Sequence, residues 1–148
     1  MLKEIIEESE GKVLVFVPLT GALEHVAAEL SKDWEVATVH GGTPKAKRDE
    51  TFQFFQKTKS PHVIVANPQT MAHGLTLTAA TTIVWYGPTN SNDIYMQANA
   101  RVRRPGQTKK TVIAHIIGSD VERRAVERLK NRQSMQNILL EMFREEMK

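Results

Sequence analysis

The hydrophobic positions of this chain form two alternating patterns: short continuous apolar runs, and longer stretches with helical spacing. The short runs are rich in β-branched residues and apolar at successive positions, which is typical of strands buried on both faces of a parallel sheet. Pro18 ends the first run and Gly87-Pro88 ends the fourth. Five strands are therefore predicted, at Lys12–Val17, Trp34–Val39, His62–Ala66, Thr82–Tyr86 and Thr111–Ile117.

Helical segments are predicted before, between and after these runs. The first covers residues 2–10, and Asn67 to Gly74 is predicted to be a polar loop or a very short helix. The segment after the second strand has one apolar stripe, formed by Ala46, Phe52 and Phe55. Residues suited to starting a helix precede the other segments: Thr20, Thr43 with Pro44 after it, Asn90-Ser91 for a helix to about Arg103, and the capping box Ser119–Glu122.

Strands that alternate with helices predict an α/β fold, with a mainly parallel sheet covered on both faces. The arrangement expected is a three-layer α/β/α domain that ends in a long C-terminal helix. A length of 148 residues favours a single domain spanning residues 1–148.

Charge and composition narrow the function classes. The net charge is +3, and the ten residues Arg101–Lys110 hold five cations and no anion, which permits nucleic-acid binding. The chain has no Cys, which excludes a disulfide scaffold and a thiolate metal site and fits a cytoplasmic protein. The longest uninterrupted apolar run, Val13–Val17, is far too short for a membrane helix, so no membrane partner is expected.

Several kinds of catalytic site have no counterpart in the sequence. The one Gly-Lys pair, Gly11-Lys12, is followed by Val13, so the sequence contains no phosphate-binding P-loop. The five His are scattered without metal-ligand spacing, and no metal site is predicted. Asp49-Glu50 falls within a predicted helix and is interpreted as part of a solvated face.

The segment Gln97–Gln107 carries the most information. It reads Gln-x-x-x-Arg-x-x-Arg-x-Gly-Gln, and Arg101 and Arg104 are three residues apart, on one helix face. Two guanidinium groups on one face form a fork suited to a multiply charged oxyanion. A helix C-terminus favours cations in any case, but this does not account for Gln97 or for the Gly-Gln ending.

This segment resembles motif VI of superfamily 2 helicases and translocases, in the form of the SWI/SNF-like DNA-dependent ATPases. Gln-Ala at its start and Gly-Gln at its end distinguish it from the His-Arg-x-Gly-Arg form of other branches. The order Gln-Ala-Asn-Ala-Arg over residues 97–101 is similar to the phage and bacterial type.

Other segments resemble further motifs of this family in the same order, so that the resemblance covers about residues 10–120. Lys12–Leu30 resembles motif IV, and Val39–Thr43 with Arg48 and Phe55 resembles the block that follows it. Asn67–Ala80 resembles motif V, except that Thr76 replaces the usual Asn and Asn67 replaces a common Ser or Thr. Trp85–Pro88 resembles the strand end that precedes motif VI.

The resemblance implies a second RecA-like domain, the C-terminal half of an ATP-dependent DNA helicase or translocase. Such a domain binds ATP and Mg jointly with an N-terminal RecA-like P-loop domain, in cis or in trans, and its nucleic-acid partner would be duplex DNA. By position, Arg104 would be the arginine finger, and Arg101 would contact the γ-phosphate or hold Arg104 and the motif V loop. Gln97 would orient this network, and Gly74 would let the motif V backbone approach the ligand closely.

The nucleic-acid track implied by the resemblance runs over the loops after strands one, two and three. Small polar groups and backbone amides at these positions would hold phosphates and would not read bases. Each of these residues could instead be a turn-former that caps a helix. The candidates are Thr20, His40, Gly41, Arg48, Asn67, Gln69 and Thr70.

Two function classes stay open at this point. One is a helicase or translocase ATPase, active only together with a P-loop domain. The other is a stand-alone nucleic-acid-binding module that has the helicase fold and no ATPase activity.

Overall fold

The computed structural model describes residues 2–71, 77–87, 89, 91–102, 111–116, 127, 130 and 131. In this part of the chain, five strands form one sheet in which every pairing is parallel. The strands are β1 Lys12–Phe16, β2 Val36–Val39, β3 Val63–Ala66, β4 Ala80–Tyr86 and β5 Val112–Ile116, in the order β2-β3-β1-β4-β5.

Helices cover both faces of this sheet. They are α1 Leu2–Glu8, α2 Thr20–Leu30, α3 Lys45–Lys57 and α4 Asn92–Ala100, with a short 3-10 helix at Pro68–Met71. No described helix is both long enough and apolar enough to cross a membrane. The predicted C-terminal helix lies mostly outside the described residues, although positions 127, 130 and 131 are helical.

Alternate residues of the central strands supply two separate hydrophobic cores. Leu14 and Phe16 of β1 pack on one face with Phe52 and Phe55 of α3 and with Tyr95 of α4. The intervening residues face the opposite core, which α1 and α2 cover; its β1 and α2 members include Val13, Val15, Leu23 and Leu30. The predicted three-layer α/β/α arrangement is confirmed.

Three predicted helix starts have different outcomes. Ser91 is an N-cap as predicted, since its hydroxyl accepts a hydrogen bond from the Ile94 amide at 3.3 Å. The prediction that Thr20 is an N-cap is wrong, because Leu19 is the N-cap and Thr20 is the first helical residue. The prediction that Thr43 is an N-cap is wrong as well, because Pro44 is the N-cap of α3. The Thr43 hydroxyl instead accepts a hydrogen bond from the His40 amide at 3.1 Å.

Two predictions for the helices after β2 and β4 also need correction. Ala46 is exposed, so it does not belong to the buried stripe of Phe52 and Phe55. The helix predicted to reach about Arg103 ends as an α-helix at Ala100. The next two amides bond three residues back, to Ala98 and Asn99, so the helix tightens into a 3-10-type turn.

Candidate functional site

The carboxyl ends of four strands lie level with one another. Val39 of β2 pairs with Ala66 of β3, Ala66 with Phe16 of β1, and Phe16 with Trp85 of β4. The loops that follow these strands therefore leave the sheet side by side at one edge, where open parallel sheets bind their ligands. The loops after the first three strands, over which the resemblance implies the nucleic-acid track, are among them.

The turn after β2 is closed by its own hydrogen bonds. The Thr43 amide donates to the His40 carbonyl at 3.0 Å, and the Gly42 amide donates to His40 Nδ1 at 3.0 Å. Because Nδ1 accepts, the neutral imidazole carries its proton on Nε2, which is the nitrogen left for a ligand. Gly41 is exposed beside it, and a Cβ there would have no atom within 4 Å, so its backbone is open to approach.

Asn67 and Thr70 organise the short 3-10 helix after β3. Asn67 Oδ1 accepts from the Gln69 amide at 3.0 Å, and the buried Thr70 hydroxyl donates to the Asn67 carbonyl at 2.7 Å. Asn67 Nδ2 also lies 3.5 Å from the Pro18 carbonyl, on the loop after β1. These side chains hold the loop in shape, whereas the exposed side chain of Gln69 stands at its surface.

Two more candidate residues lie at the starts of the helices. Thr20 opens α2, directly after the loop that follows β1. Arg48 lies in the first turn of α3, partly exposed, with no side-chain hydrogen bond or ion pair among the described residues. Its guanidinium therefore has no structural partner in the part of the chain described.

Arg101 brackets a segment of the motif V region. Its Nε donates to the Met71 carbonyl at 2.8 Å, and its own carbonyl accepts from the Leu77 amide at 2.9 Å. Arg101 thus contacts the residues on both sides of segment 72–76, which includes Gly74 and lies outside the described residues. Arg104 also lies outside them. Gln97 is exposed on α4, one turn before Arg101.

Sequence reasoning missed a second support of this loop. Gln56 of α3 accepts from the Ala79 amide at 2.9 Å and donates to the Thr78 hydroxyl at 2.8 Å. No pattern distinguishes Gln56 from the other polar residues of α3, so only the fold reveals this contact. Met71 and Leu77 were missed for a similar reason, because Arg101 bonds to their backbone and not to their side chains.

A buried aromatic cluster packs between α4 and the sheet. Trp85 Nε1 donates to Asn99 Oδ1 at 2.9 Å, and the Trp85 ring lies 4.9 Å from Phe16 and 5.0 Å from Tyr95. The Tyr95 hydroxyl is 2.9 Å from His115 Nε2 on β5. Burial, with a smaller contribution from the positive charge of Lys130, lowers the pKa of His115 to about 4.

Metal ligands are not gathered at this edge. Within residues 2–71, 77–87 and the shorter described stretches, no three His, Asp or Glu side chains are close enough to hold a metal ion. The candidate groups at the edge are backbone amides, an imidazole, amide side chains and guanidinium groups. These groups suit phosphates.

Comparison with known proteins agrees with this geometry. Residues 1–106 match the family model "Helicase conserved C-terminal domain". The chain is 29% identical over 134 residues to the candidate helicase 172L of Invertebrate iridescent virus 6, with 88% of this chain and 22% of that protein covered. It is also 29% identical over 117 residues to the "SWI/SNF-related matrix-associated actin-dependent regulator of chromatin subfamily A-like protein 1" of Xenopus tropicalis, with 78% of this chain and 12% of that protein covered.

A solved structure shows the same fold. The crystal structure of the C-terminal part of the Fun30 ATPase domain superposes with a TM-score of 0.77 at 23% identity, covering 85% of this chain and 43% of that one. The fold is therefore RecA-like α/β, as the motif resemblance implies. The chain spans 22% or less of the length of the two curated relatives named above.

Proposed function

Because this chain belongs to the family of helicase conserved C-terminal domains, we propose that it is the second RecA-like half of an ATP-driven DNA translocase or helicase. The observation that carries the proposal is the level row of strand ends from Val39 to Trp85. It brings the loops with the candidate phosphate contacts to one edge of the sheet. The similarity to SWI/SNF-type proteins supports duplex DNA as the track, and residues 97–101 support the phage or bacterial type.

The ATP side of the proposal rests on α4 and the segment after it. Arg101 holds both ends of segment 72–76, so the motif V backbone and the motif VI arginines would move as one unit. In this proposal Arg104 places its guanidinium on the γ-phosphate, Gln97 orients the network, and Gly74 lets the backbone approach. A P-loop domain, in cis or in trans, holds the remaining phosphates and Mg.

An arginine on a separate domain makes hydrolysis depend on closure of the cleft between the two domains. Phosphoryl transfer is accelerated mainly by positioning and by neutralising charge, so a guanidinium that arrives only on closure acts as a switch. Closure also moves the nucleic-acid contacts of one domain relative to those of the other domain. Cycles of ATP binding and hydrolysis would thereby become steps along a strand.

The DNA side of the proposal uses the groups left open at the edge. These are the His40 Nε2–H, the Gly41 backbone, the Arg48 guanidinium and the Gln69 amide. Asn67 and Thr70 act by shaping the loop, since their side chains are bonded within it. Such contacts hold the phosphate backbone and carry no sequence information.

The test is a titration of two duplexes of equal length and different sequence with this chain at several salt concentrations, with binding measured by fluorescence anisotropy. We expect weak, sequence-independent binding whose log affinity falls with log salt by about 0.9 per phosphate contacted. Arg48→Ala should reduce that slope by about one phosphate. Lys57→Ala is the matched control, because Lys57 is exposed at the other end of the same helix.

Three outcomes would contradict the DNA side of the proposal. They are binding that does not respond to salt, a strong preference for one sequence, and equal effects of the two variants. ATP turnover by the chain joined to a P-loop domain distinguishes the stand-alone binding module from the second half of an ATPase. A module without ATPase function would bind DNA as above and would remain inactive when joined to a P-loop domain.

A further inference from the structure

Gln56 joins α3 to the chain that leaves the motif V region. Its Oε1 accepts a hydrogen bond from the Ala79 amide at 2.9 Å, and its Nε2 donates to the Thr78 hydroxyl at 2.8 Å. The two bonds connect residues that are 22 and 23 positions apart in the sequence. Because one group of the side-chain amide accepts and the other donates, the amide is held in one orientation between α3 and these two residues.

The residues that Gln56 contacts belong to a turn that Arg101 also holds. The Ala80 amide donates to the Leu77 carbonyl at 3.1 Å, which closes the turn over residues 77–80, and the Leu77 side chain is buried. The Leu77 amide donates to the Arg101 carbonyl at 2.9 Å. This turn follows segment 72–76 directly. The side chain of α3 and the backbone at the end of α4 are therefore bonded to one turn from two sides.

The other end of α3 carries a candidate phosphate contact. Arg48 lies in the first turn of α3, eight residues before Gln56, a separation of about 12 Å along a helix. Phe52 and Phe55 lie between them and are buried in the core on this face of the sheet. Because close-packed side chains transmit displacements with little compression, α3 connects Arg48 with Gln56 as one rigid element.

We propose that Gln56 is a positioning residue that couples duplex DNA bound at Arg48 to the orientation of Arg101 on the ATP side. DNA that restrains α3 also restrains, through Gln56, the turn at residues 77–80 and the Arg101 backbone bonded to it. Two ligands that favour the same arrangement of a shared element change each other's affinity by the same factor. The inference rests on the proposed function, and it adds the contact that connects the DNA side of that function with its ATP side.

The experiment measures the duplex affinity of the chain joined to its P-loop domain, with and without a non-hydrolysable ATP analogue, by fluorescence anisotropy. We expect the analogue to change the affinity of the unmodified protein by about fivefold or more, as is usual for coupled sites. Gln56→Met keeps the length of the side chain but removes both hydrogen bonds, so most of this change should be lost. Gln56→Glu can still accept from the Ala79 amide and from the Thr78 hydroxyl, so it should keep most of the change.

Two control variants separate this coupling from a general effect on α3. Gln53→Met makes the same replacement on the same helix, at an exposed side chain that forms no hydrogen bond with a described residue, and should keep the full effect of the analogue. Lys12→Met removes a donor to the carbonyls of Phe55 and Thr58 at the end of α3. It should lower the melting temperature and still keep the effect of the analogue, because the Lys12 side chain is not bonded to the turn at residues 77–80.

A second readout is the ratio of steady-state ATP turnover with saturating duplex to turnover without DNA, measured on the same joined proteins. Gln56→Met should lower this ratio, whereas loss of a merely structural contact would lower both turnovers together and leave the ratio unchanged. If Gln56→Met does not fold, Thr78→Val decides. It removes the bond to Gln56 Nε2 and leaves the bond to the Ala79 amide, so it should lower the ratio in part.

The inference is overturned if Gln56→Met keeps the full effect of the analogue on duplex affinity, or if Gln53→Met or Lys12→Met loses as much of it. Its failure is separable from failure of the proposed function. An unmodified joined protein that binds duplex DNA and hydrolyses ATP, with no effect of either ligand on the other, would overturn this inference alone. Absence of both salt-dependent duplex binding and ATP turnover would remove the proposed function as well.

Discussion

Arg101 joins two parts of the chain that are 30 residues apart. Its Nε bonds to the Met71 carbonyl, its carbonyl accepts from Leu77, and its side chain is partly buried. Of the two roles expected from the motif resemblance, this geometry favours holding the motif V loop. Contact with the γ-phosphate stays a prediction, since one guanidinium can bond to a carbonyl through Nε and keep its other donors free.

We expect Arg101→Ala to lower the free energy of unfolding by about 1–2 kcal/mol, because it removes a charge-assisted hydrogen bond to the Met71 carbonyl. Arg101→Lys should recover little of this loss, since an ammonium group cannot donate from the Nε position. Urea unfolding of both variants measures the effect. Arg48→Ala is the control, as it removes no side-chain bond to a described residue. Unfolding curves for Arg101→Ala that match those of the unmodified chain would contradict the predicted support.

His115 predicts a pH dependence of stability. Its pKa is about 4 in the folded chain, below the usual value of about 6.5 for an unfolded chain, so folding favours the neutral ring. Its contribution is complete above about pH 6.5 and is lost as the pH falls towards 4, where the folded ring also becomes protonated. Allowing for solvent screening of a partly exposed group, the loss between pH 7 and pH 5 should be about 1 kcal/mol.

His115→Gln tests this pH dependence, because Gln can still bond to the Tyr95 hydroxyl and does not titrate. The free energy of unfolding, measured by urea at pH 7 and at pH 5, should fall less in the variant than in the unmodified chain. Other titrating groups, including His62, whose pKa is lowered by burial, are common to both proteins. Equal falls would mean that His115 does not contribute.

At the scale of elements, a lysine at the start of β1 connects the sheet to the end of α3. Lys12 Nζ donates to the Phe55 carbonyl at 2.6 Å and to the Thr58 carbonyl, and it lies 4.9 Å from the centre of the Phe55 ring. Partial burial lowers the pKa of Lys12. A cation at a helix C-terminus satisfies carbonyls that have no partner within the helix and also interacts favourably with the helix dipole.

Lys12→Met should lower the free energy of unfolding by about 1–3 kcal/mol, since it leaves two carbonyls at the end of α3 without this charged donor. Methionine keeps a similar length and apolar stem, so packing against Phe55 is largely preserved. Lys57→Met is the matched control, because Lys57 is exposed in the last turn of the same helix and should cost well under 1 kcal/mol. Thermal or urea melts that rank the two variants equally would contradict this reading.

The sequence predicted the strands well and the helix starts less well. The predicted strands differ from the observed bounds by two residues or fewer, because buried parallel strands are continuous apolar runs. The first residue of a helix depends on how many residues the chain needs to turn between the end of the strand and the helix. At α2, the Leu19 carbonyl already accepts from the amides of Ala22 and Leu23, so the helix begins one residue earlier than the position of Thr20 suggests.

At the scale of the whole molecule, the alternation of strands and helices was enough to predict the fold class, and the motif order was enough to predict the family. A parallel sheet also has the carboxyl ends of its strands at one edge, where the candidate loops lie. Two features could not be predicted. Backbone contacts such as Arg101 with Met71 carry no side-chain signature at the accepting residue, and the bonds of Gln56 to Thr78 and Ala79 join elements that only the fold brings together.

The central claim is that this chain supplies half of an ATP site, and steady-state phosphate release tests it most directly. The chain alone should show no turnover with or without duplex DNA, because it contains no P-loop. The measurement is then repeated on the protein in which the chain is joined to its P-loop domain, with the variants Arg104→Ala and Arg103→Ala. Thermal melts of all proteins accompany the kinetics.

We predict DNA-stimulated turnover by the joined protein, a loss of about 10³-fold or more in Arg104→Ala, and little change in Arg103→Ala, because helical spacing from Arg101 leads us to expect Arg103 off the face shared with Arg104. DNA affinity and melting temperature should hardly change in Arg104→Ala. Turnover of about 1 per second or more by the chain alone, or equal small losses in the two arginine variants, would contradict the account.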